Sequence, residues 1–141
     1  MKYAVDSKEM RLIEEYTMRQ AGISAVLLME RAALAAAEVI AKNIGKDDRI
    51  CVVCGKGNNG GDGAAIARLL FMRGYNVAIN MPGGEPDPSS LMGMQLDLAQ
   101  ALGVPIENRN KLKEYNVIID AVFGIGLSRP VTGVYEEIID E

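Results

Sequence analysis

In this 141-residue sequence, one glycine- and asparagine-rich stretch contains most of the residues that could bind a ligand or take part in catalysis. Residues 55–63 read GKGNNGGDG, between an apolar segment, Arg49–Cys54, and a helix-like segment, Gly63–Arg73. Glycine permits positive φ angles and lets the backbone approach a ligand closely. Successive N–H groups in front of a helix favour an anion, most often phosphate. The stretch therefore predicts a loop that binds a phosphate-bearing ligand.

The residues in and after this loop exclude some classes of phosphate-binding site. Residues 55–60 contain a literal G-x-G-x-x-G, but the next predicted strand ends in Asn80-Met81-Pro82 rather than in an acidic residue for an adenosine ribose. A conventional NAD dehydrogenase is therefore disfavoured. A P-loop is excluded because no Gly-Lys-Ser/Thr closes the stretch. The alternative is a tight turn that uses glycine for geometry alone.

A second patch, DAVFGIGL at residues 120–127, places Asp120 near the end of an apolar strand. A carboxylate there costs free energy unless it is paired or bound to a cation, although a capping role at a strand end is a common alternative. Parallel strands bring their carboxyl ends to one edge, so this patch is expected near the first loop. An oxygen-rich set from Asn and Asp side chains suits a hard cation.

Composition excludes several other classes of chemistry. The chain has no histidine, which rules out Ser-His-Asp, Cys-His and His-metal sites within it. A net charge of −4 without a basic run argues against nucleic acid as a partner. Cys51 and Cys54 form a C-x-x-C, but both lie in a predicted strand, where residues three apart face opposite sides. We read them as core residues.

The elements that must position these loops follow from periodicity and caps. Two helices are predicted first, one from Asp6 to Gly22 with a capping box to Glu9, and one from Ser24 to about Asn43. Strands and helices then alternate. We predict strands at Arg49–Cys54, Tyr75–Met81, Val104–Ile106 and Asn116–Phe123, and helices at Gly63–Arg73, from about Pro88 to Leu102, and at Val134–Glu141.

This order predicts an α/β fold, a three-layer, Rossmann-like, doubly wound and mainly parallel sheet preceded by two helices. Residues 1–141 are read as one domain whose last strand and helices are missing at the C-terminus. No apolar stretch approaches the roughly 18 residues of a membrane span, and no signal peptide is recognisable, so a cytoplasmic location is expected. The first two helices have apolar faces that a homodimer could cover, so a homodimer is a possible assembly.

The same motifs make the chain resemble the YjeF N-terminal domain family, the NAD(P)H-hydrate epimerases. The resemblance is carried by Ala21-Gly22-Ile23, by Leu28-Met29-Glu30, by the specific string Gly57–Gly63, and by Asp120-Ala121 through Gly124, Gly126 and Leu127. It implies an isomerase that interconverts the R and S epimers of hydrated NADH or NADPH (NADHX, NADPHX). A separate dehydratase then repairs the S epimer.

The resemblance also implies site residues and a potassium ion. The substrate segments are Asn58, Asn59, Gly60, Gly61, Asp62, and Gly124, Ile125, Gly126, Leu127, Ser128, Arg129, Pro130; the potassium ligands are Asn59 and Asp120. Arg31 and Ala33 replace residues common in the family. Its Val-Asp-x-Pro-Ser-Gly motif, with the catalytic Asp, is expected beyond Glu141, so weak binding and slow turnover are expected. The alternative is a non-catalytic nucleotide-binding or protein-interaction module of the same fold.

Overall fold

The computed structural model describes residues 4–107 and 112–141, which form two leading helices and then an alternating α/β unit. The helices are α1 (Ser7–Gln20), α2 (Ala25–Ala41), α3 (Asn58–Met72), α4 (Leu91–Ala101) and α5 (Val134–Asp140). The strands are β1 (Arg49–Cys54), β2 (Asn76–Asn80), β3 (Ile106–Glu107) and β4 (Val117–Ala121), with a 3₁₀ turn at Leu112–Glu114.

The four described strands form one parallel sheet in the order β3-β2-β1-β4. The chain moves outward from β1 to β2 and β3, then crosses back to place β4 on the other side of β1. This reversal leaves a crevice at the carboxyl ends of β1 and β4, where ligands bind in open α/β sheets. The predicted doubly wound α/β class is confirmed.

The sheet is covered by helices α2, α3 and α4 on one face and by α5 on the other. Strand β1 is buried on both faces, which explains its continuous apolar sequence. Ile50, Val52 and Cys54 pack towards α3, whereas Cys51 and Val53 pack with Ile138 of α5 on the opposite side. Both cysteines are free, and they face opposite sides as predicted.

The first two helices begin at the residues that the capping patterns indicate. The Asp6 carboxylate accepts hydrogen bonds from the Lys8 and Glu9 backbone amides at 2.8 and 2.9 Å. Glu9 in turn accepts one from the Asp6 amide at 2.8 Å, which completes the predicted capping box. Ser24 caps α2 through the Leu27 amide. In the described part of the chain, no helix is both long and apolar enough to cross a membrane.

Several predicted element boundaries are shifted by one to three residues, and the largest error, at the start of α3, matters for function. Helix α3 begins at Asn58, five residues before the predicted start at Gly63, so most of the predicted loop is the first turn of a helix. Packing overrides the low helix propensity of its glycines, which are buried. Strand β3 is Ile106–Glu107 rather than Val104–Ile106, because its pairing with Ile79 and Asn80 at the end of β2 sets its register.

An ion pair joins α2 to α3. Arg68 is only 8% exposed, and its guanidinium pairs with Glu30 and lies 3.5 Å from the Gln95 side-chain oxygen on α4. The Glu30 side chain is 34% exposed, so the arginine is the buried partner of the pair. A buried guanidinium needs a counter-charge, because removing it from water is costly. Glu30 is therefore part of the packing between the helices.

Replacing Glu30 with alanine is expected to lower the free energy of unfolding by about 1–3 kcal/mol. Arg68 would then lose its counter-charge while staying buried, and an unpaired buried group bears the desolvation cost. Urea unfolding of Glu30→Ala measures the loss, with Glu38→Ala, an exposed position on the same helix, as the matched control. Equal stability of the two variants would contradict the assigned role.

Candidate functional site

A cavity of about 1130 Å³ opens at the carboxyl ends of β1 and β4. Its walls come from α1, the start of α2, the segment from Gly55 into α3, the segment after β4, and α5. The lining includes Arg11, Glu14, Met18, Leu28, Met29, Lys56, Asn58, Asn59, Asp62, Leu91, Phe123, Gly124, Arg129 and Tyr135. Ligand pockets typically measure about 300–1,000 Å³, so this cavity has room for a large ligand such as a dinucleotide.

With the exception of Gly57, the glycines of the 55–63 stretch serve close packing rather than unusual backbone angles. Positive φ angles occur at other glycines, such as Gly22 and Gly74, and at none between 55 and 63, so that part of our expectation is wrong. A Cβ on Gly60 would overlap the Gly55 carbonyl oxygen and lie 2.7 Å from its carbon. A Cβ on Gly63 would lie 3.0 Å from the Cys54 sulfur and overlap Ala121. Close packing at these glycines seats the start of α3 directly on β1 and β4.

The polar members of the stretch face the cavity instead. Asn58, Asn59 and Asp62 all line it. The Asn59 side chain lies against the backbone of the second loop, since a Cβ on Gly124 would sit 3.4–3.5 Å from its Cβ, Cγ and Oδ1 atoms. The stretch is therefore divided by function: glycines anchor the helix, and amide and carboxylate groups are presented to the ligand.

Positively charged side chains and oriented amides make the cavity suitable for an anion. Arg11, Lys56 and Arg129 line it, from α1, the β1–α3 connection and the segment after β4. Helix α3 starts at the cavity wall with Gly57 as its N-cap and without a side-chain cap. Its first N–H groups and its dipole favour negative charge at that wall. These groups suit a phosphate or pyrophosphate.

Asp62 stands out electrostatically among the residues that line the cavity. Partial burial, and secondly the negative charge of Glu14 on α1, raise the pKa of its carboxyl above the ordinary value. No hydrogen bond to this carboxylate is found among the described residues. A half-buried carboxylate without a partner is unfavourable for stability and is characteristic of a binding or catalytic position.

Replacing Asp62 with asparagine is expected to stabilise the ligand-free protein at pH 7 by about 0.5–2 kcal/mol, the range common when an unfavourable site is relieved. The raised pKa means that the folded state holds this proton more tightly than the unfolded state. The stability that Asp62 contributes is therefore present at low pH and lost as pH rises through the folded pKa. Thermal unfolding at pH 4 and pH 7 checks this, because the gain should shrink at pH 4. A gain that is the same at both pH values would contradict it.

Most of the predicted substrate residues meet in this cavity. Asn58, Asn59, Asp62 and the run Gly124–Arg129 line it, which brings the two predicted segments together. Gly60 and Gly61 are buried beneath the cavity wall; a Cβ on Gly61 would lie 2.9 Å from the Met29 side chain. Pro130 is exposed and is not among the lining residues.

The two predicted potassium ligands line different cavities, and each adjoins the segment Val122–Gly124. Asn59 contacts Gly124, whereas Asp120 accepts a hydrogen bond from the Val122 amide at 2.9 Å. Asp120 is in register with Val53 and lines a second cavity of about 340 Å³ on the α5 face of the sheet. Within residues 4–107 and 112–141, no three His, Cys, Asp or Glu side chains cluster as a metal site.

Sequence reasoning missed the contributions of α1 and α5 to this cavity. Arg11, Glu14 and Met18 share one face of α1 because they are three and four residues apart. That spacing was a usable signal, but nothing local shows that this face meets the loop 40 residues later. Tyr135 at the start of α5 was missed for the same reason.

Comparison with known proteins agrees with this geometry. A family model described as "YjeF-related protein N-terminus" matches residues 25–141, which include both loops of the cavity. The chain belongs to this family. Relatives named "NAD(P)H-hydrate epimerase" include one from Weissella koreensis, 41% identical over 132 residues, which are 93% of this chain and 60% of the relative. Another, from Limosilactobacillus fermentum, is 41% identical over 139 residues, 98% of this chain and 67% of the relative.

The fold is shared with a solved structure of the family. The crystal structure of yeast ynu0, YNL200c, superposes with a TM-score of 0.83 at 25% sequence identity, covering 99% of this chain and 64% of the yeast chain. The chain thus spans about two thirds or less of the length of these relatives. Helix α1, which supplies Arg11 and Glu14, precedes the segment matched by the family model.

Proposed function

We propose that the chain acts as an NAD(P)H-hydrate epimerase on NADHX and NADPHX. The observation that carries the proposal is the single cavity in which Asn58, Asn59 and Asp62 face the segment Gly124–Arg129. Its volume suits a dinucleotide, and the start of α3 with the basic side chains in its lining suits a pyrophosphate. The epimerase relatives, about 41% identical over nearly the whole chain, support the same activity.

The proposed reaction requires the protein to bind the substrate and to assist proton transfer at the hydroxyl group and at the ring nitrogen. In the hydrated nicotinamide ring, the hydroxyl-bearing carbon is bonded to the ring nitrogen. Loss of the hydroxyl proton allows a C=O bond to form as the C–N bond breaks, and the electron pair goes to nitrogen, which takes up a proton. Reclosure on the other face inverts the carbon. General acid–base assistance contributes typically ~10²–10⁴-fold.

In the proposed mechanism, different residues of this chain bind the substrate and transfer the proton. The start of α3 and the side chains of Asn58 and Asn59 bind the pyrophosphate and fix the ring in the cavity. Asp62 is the described cavity carboxylate whose burial best suits it to hold or release a proton near the ligand, because its raised pKa brings the two protonation states closer in energy. Leu28, Met29 and Phe123 exclude water from part of the wall.

We also propose a potassium ion held by Asn59 and Asp120. The donor chemistry fits, because amide and carboxylate oxygens suit a hard cation, and both side chains adjoin the segment Val122–Gly124. A bound cation would offset negative charge near the pyrophosphate.

Two further parts of the proposal concern partners and location. We propose a cytosolic protein whose product is consumed by an S-specific dehydratase. A homodimer would cover apolar side chains of α1, since Leu12, Ile13 and Tyr16 are 49–69% exposed and no described residue of α1 is buried. Sedimentation velocity at two protein concentrations tests the dimer; a monomer throughout contradicts it.

The rate of R-to-S conversion in potassium buffer, reported by an S-specific dehydratase, tests the activity. We expect conversion that is slow but above the spontaneous rate, and that falls to near the spontaneous rate in Asp62→Asn. A non-catalytic module would bind NADPHX without raising the conversion rate. Neither binding nor conversion would contradict the proposal as a whole.

A further inference from the structure

Tyr135 contacts three segments, two of which line the cavity. It is the second residue of α5 and lines the cavity, although it belongs to neither of the segments implied as substrate-binding. Its ring packs against the small core on the α5 side of the sheet, formed by Cys51, Val53, Val122 and Ile138. Its hydroxyl points away from that core, towards backbone of the other two segments.

The first of these segments is the turn after β2. A Cβ on Gly83 would overlap the Tyr135 hydroxyl oxygen and lie 2.8 Å from the ring carbon that carries it. The same point lies 3.4 Å from the Lys56 side-chain carbon Cε. The hydroxyl of Tyr135 therefore occupies the space that any larger residue at Gly83 would need, which fixes the turn against α5.

The other two segments carry the loops that face the ligand. The backbone amide of Lys56, just before α3, interacts with the Tyr135 hydroxyl oxygen; this contact partly offsets the burial that raises the pKa of the hydroxyl. The Tyr135 ring meets Phe123 edge-on, with centroids 5.2 Å apart and planes at 60°. Such aromatic pairs are worth about 0.5–1.5 kcal/mol beyond their buried area, but the ring contact alone would not require a hydroxyl.

We propose that Tyr135 is a positioning residue for the nucleotide cavity, whose hydroxyl ties the backbone at Lys56 to the turn at Gly83 while its ring holds Phe123. It thereby sets the distance between the start of α3 and the segment Gly124–Arg129. The ligand side of this inference rests on the proposed function, because it takes NADPHX as the molecule bound between those walls. The proposed effect of Tyr135 on the backbone at Lys56 and Gly83 does not depend on any ligand.

Two variants separate the hydroxyl from the ring. Tyr135→Phe keeps the contact with Phe123 and removes the Lys56 interaction; we expect NADPHX affinity to fall about twofold to tenfold, the loss of one net hydrogen bond. Amide hydrogen exchange of residues 55–59 should accelerate by a similar factor in the ligand-free protein. Tyr115→Phe is the matched control, because Tyr115 packs on the same small core and lies outside the cavity.

A double-mutant cycle tests the contact with Gly83. Gly83→Ala should weaken NADPHX binding about tenfold by displacing Tyr135, but in a Tyr135→Leu background the same substitution should change affinity less than twofold. An equal effect of Gly83→Ala in both backgrounds, or unchanged exchange at 55–59 in Tyr135→Phe, would overturn the proposal. If the wild-type protein fails to bind NADPHX, the proposed function fails, while the ligand-free exchange measurements still decide the role of Tyr135.

Discussion

Replacing Gly60 with alanine is expected to destabilise the protein by about 1–3 kcal/mol or more, the cost of overpacking a closed site. The added Cβ would overlap the Gly55 carbonyl oxygen, and neither atom belongs to a flexible side chain that could move aside. The start of α3 would have to lift from β1, and Asn58 and Asn59 would move with it. Urea denaturation measures the stability loss, and NADPHX titration measures the accompanying loss of binding.

Gly57→Ala is the matched control in the same stretch. A Cβ at Gly57 meets nothing within 4 Å, and its φ of −93° suits any residue. Alanine is a poorer N-cap than glycine, but it also restricts the unfolded chain, so the net change should stay within about 1 kcal/mol. Similar losses in Gly57→Ala and Gly60→Ala would mean that close packing is not the reason for glycine at position 60.

Replacing Asn59 with alanine is expected to weaken NADPHX binding in potassium buffer by about 10–100-fold, the range seen when groups around a metal site are removed. Asn59 is placed to act on both ligands, because its side chain lines the cavity and contacts Gly124. Calorimetric titration should show tighter binding in potassium than in sodium at equal ionic strength for the wild type. Asn59→Ala should lose that difference.

Asp120 supplies an independent check on the cation. Asp120→Asn keeps an oxygen that can accept the Val122 amide, so the local backbone should be retained while the negative charge is lost. We expect the potassium effect to shrink in this variant with little change in affinity in sodium. A full potassium effect in both Asn59→Ala and Asp120→Asn would show that the ion binds elsewhere or not at all.

At Asp62, the expected change in stability and the expected change in turnover have opposite directions. Asp62→Asn is expected to raise stability at neutral pH while lowering turnover, whereas Glu30→Ala and Gly60→Ala lower stability. The reason is that Asp62 is half-buried without a hydrogen-bonding partner among the described residues, whereas Glu30 neutralises Arg68 and Gly60 allows close packing. A carboxylate kept in an unfavourable place is what a ligand-binding role would require.

Local sequence patterns were sufficient to predict the secondary-structure elements and the fold class. The capping box at Asp6, the doubly buried run of β1 and the alternation of strands and helices all depend on residues within a few positions of each other, so local patterns were sufficient. The two motifs identified both halves of the cavity. A glycine in the sequence directly indicates possible close approach of the backbone, and an asparagine directly indicates an amide side chain.

The start of helix α3 and the identity of the distant residues that complete the site depend on tertiary packing. Buried contacts of Gly60 and Gly63 with β1 and β4 start the helix at Asn58, against its local propensity. Packing also placed Arg11, Glu14 and Tyr135 in the cavity and turned Glu30 inward to Arg68. The Glu30–Arg68 pair joins side chains 38 positions apart in sequence, and the sheet order that brings such residues together leaves no mark in local periodicity.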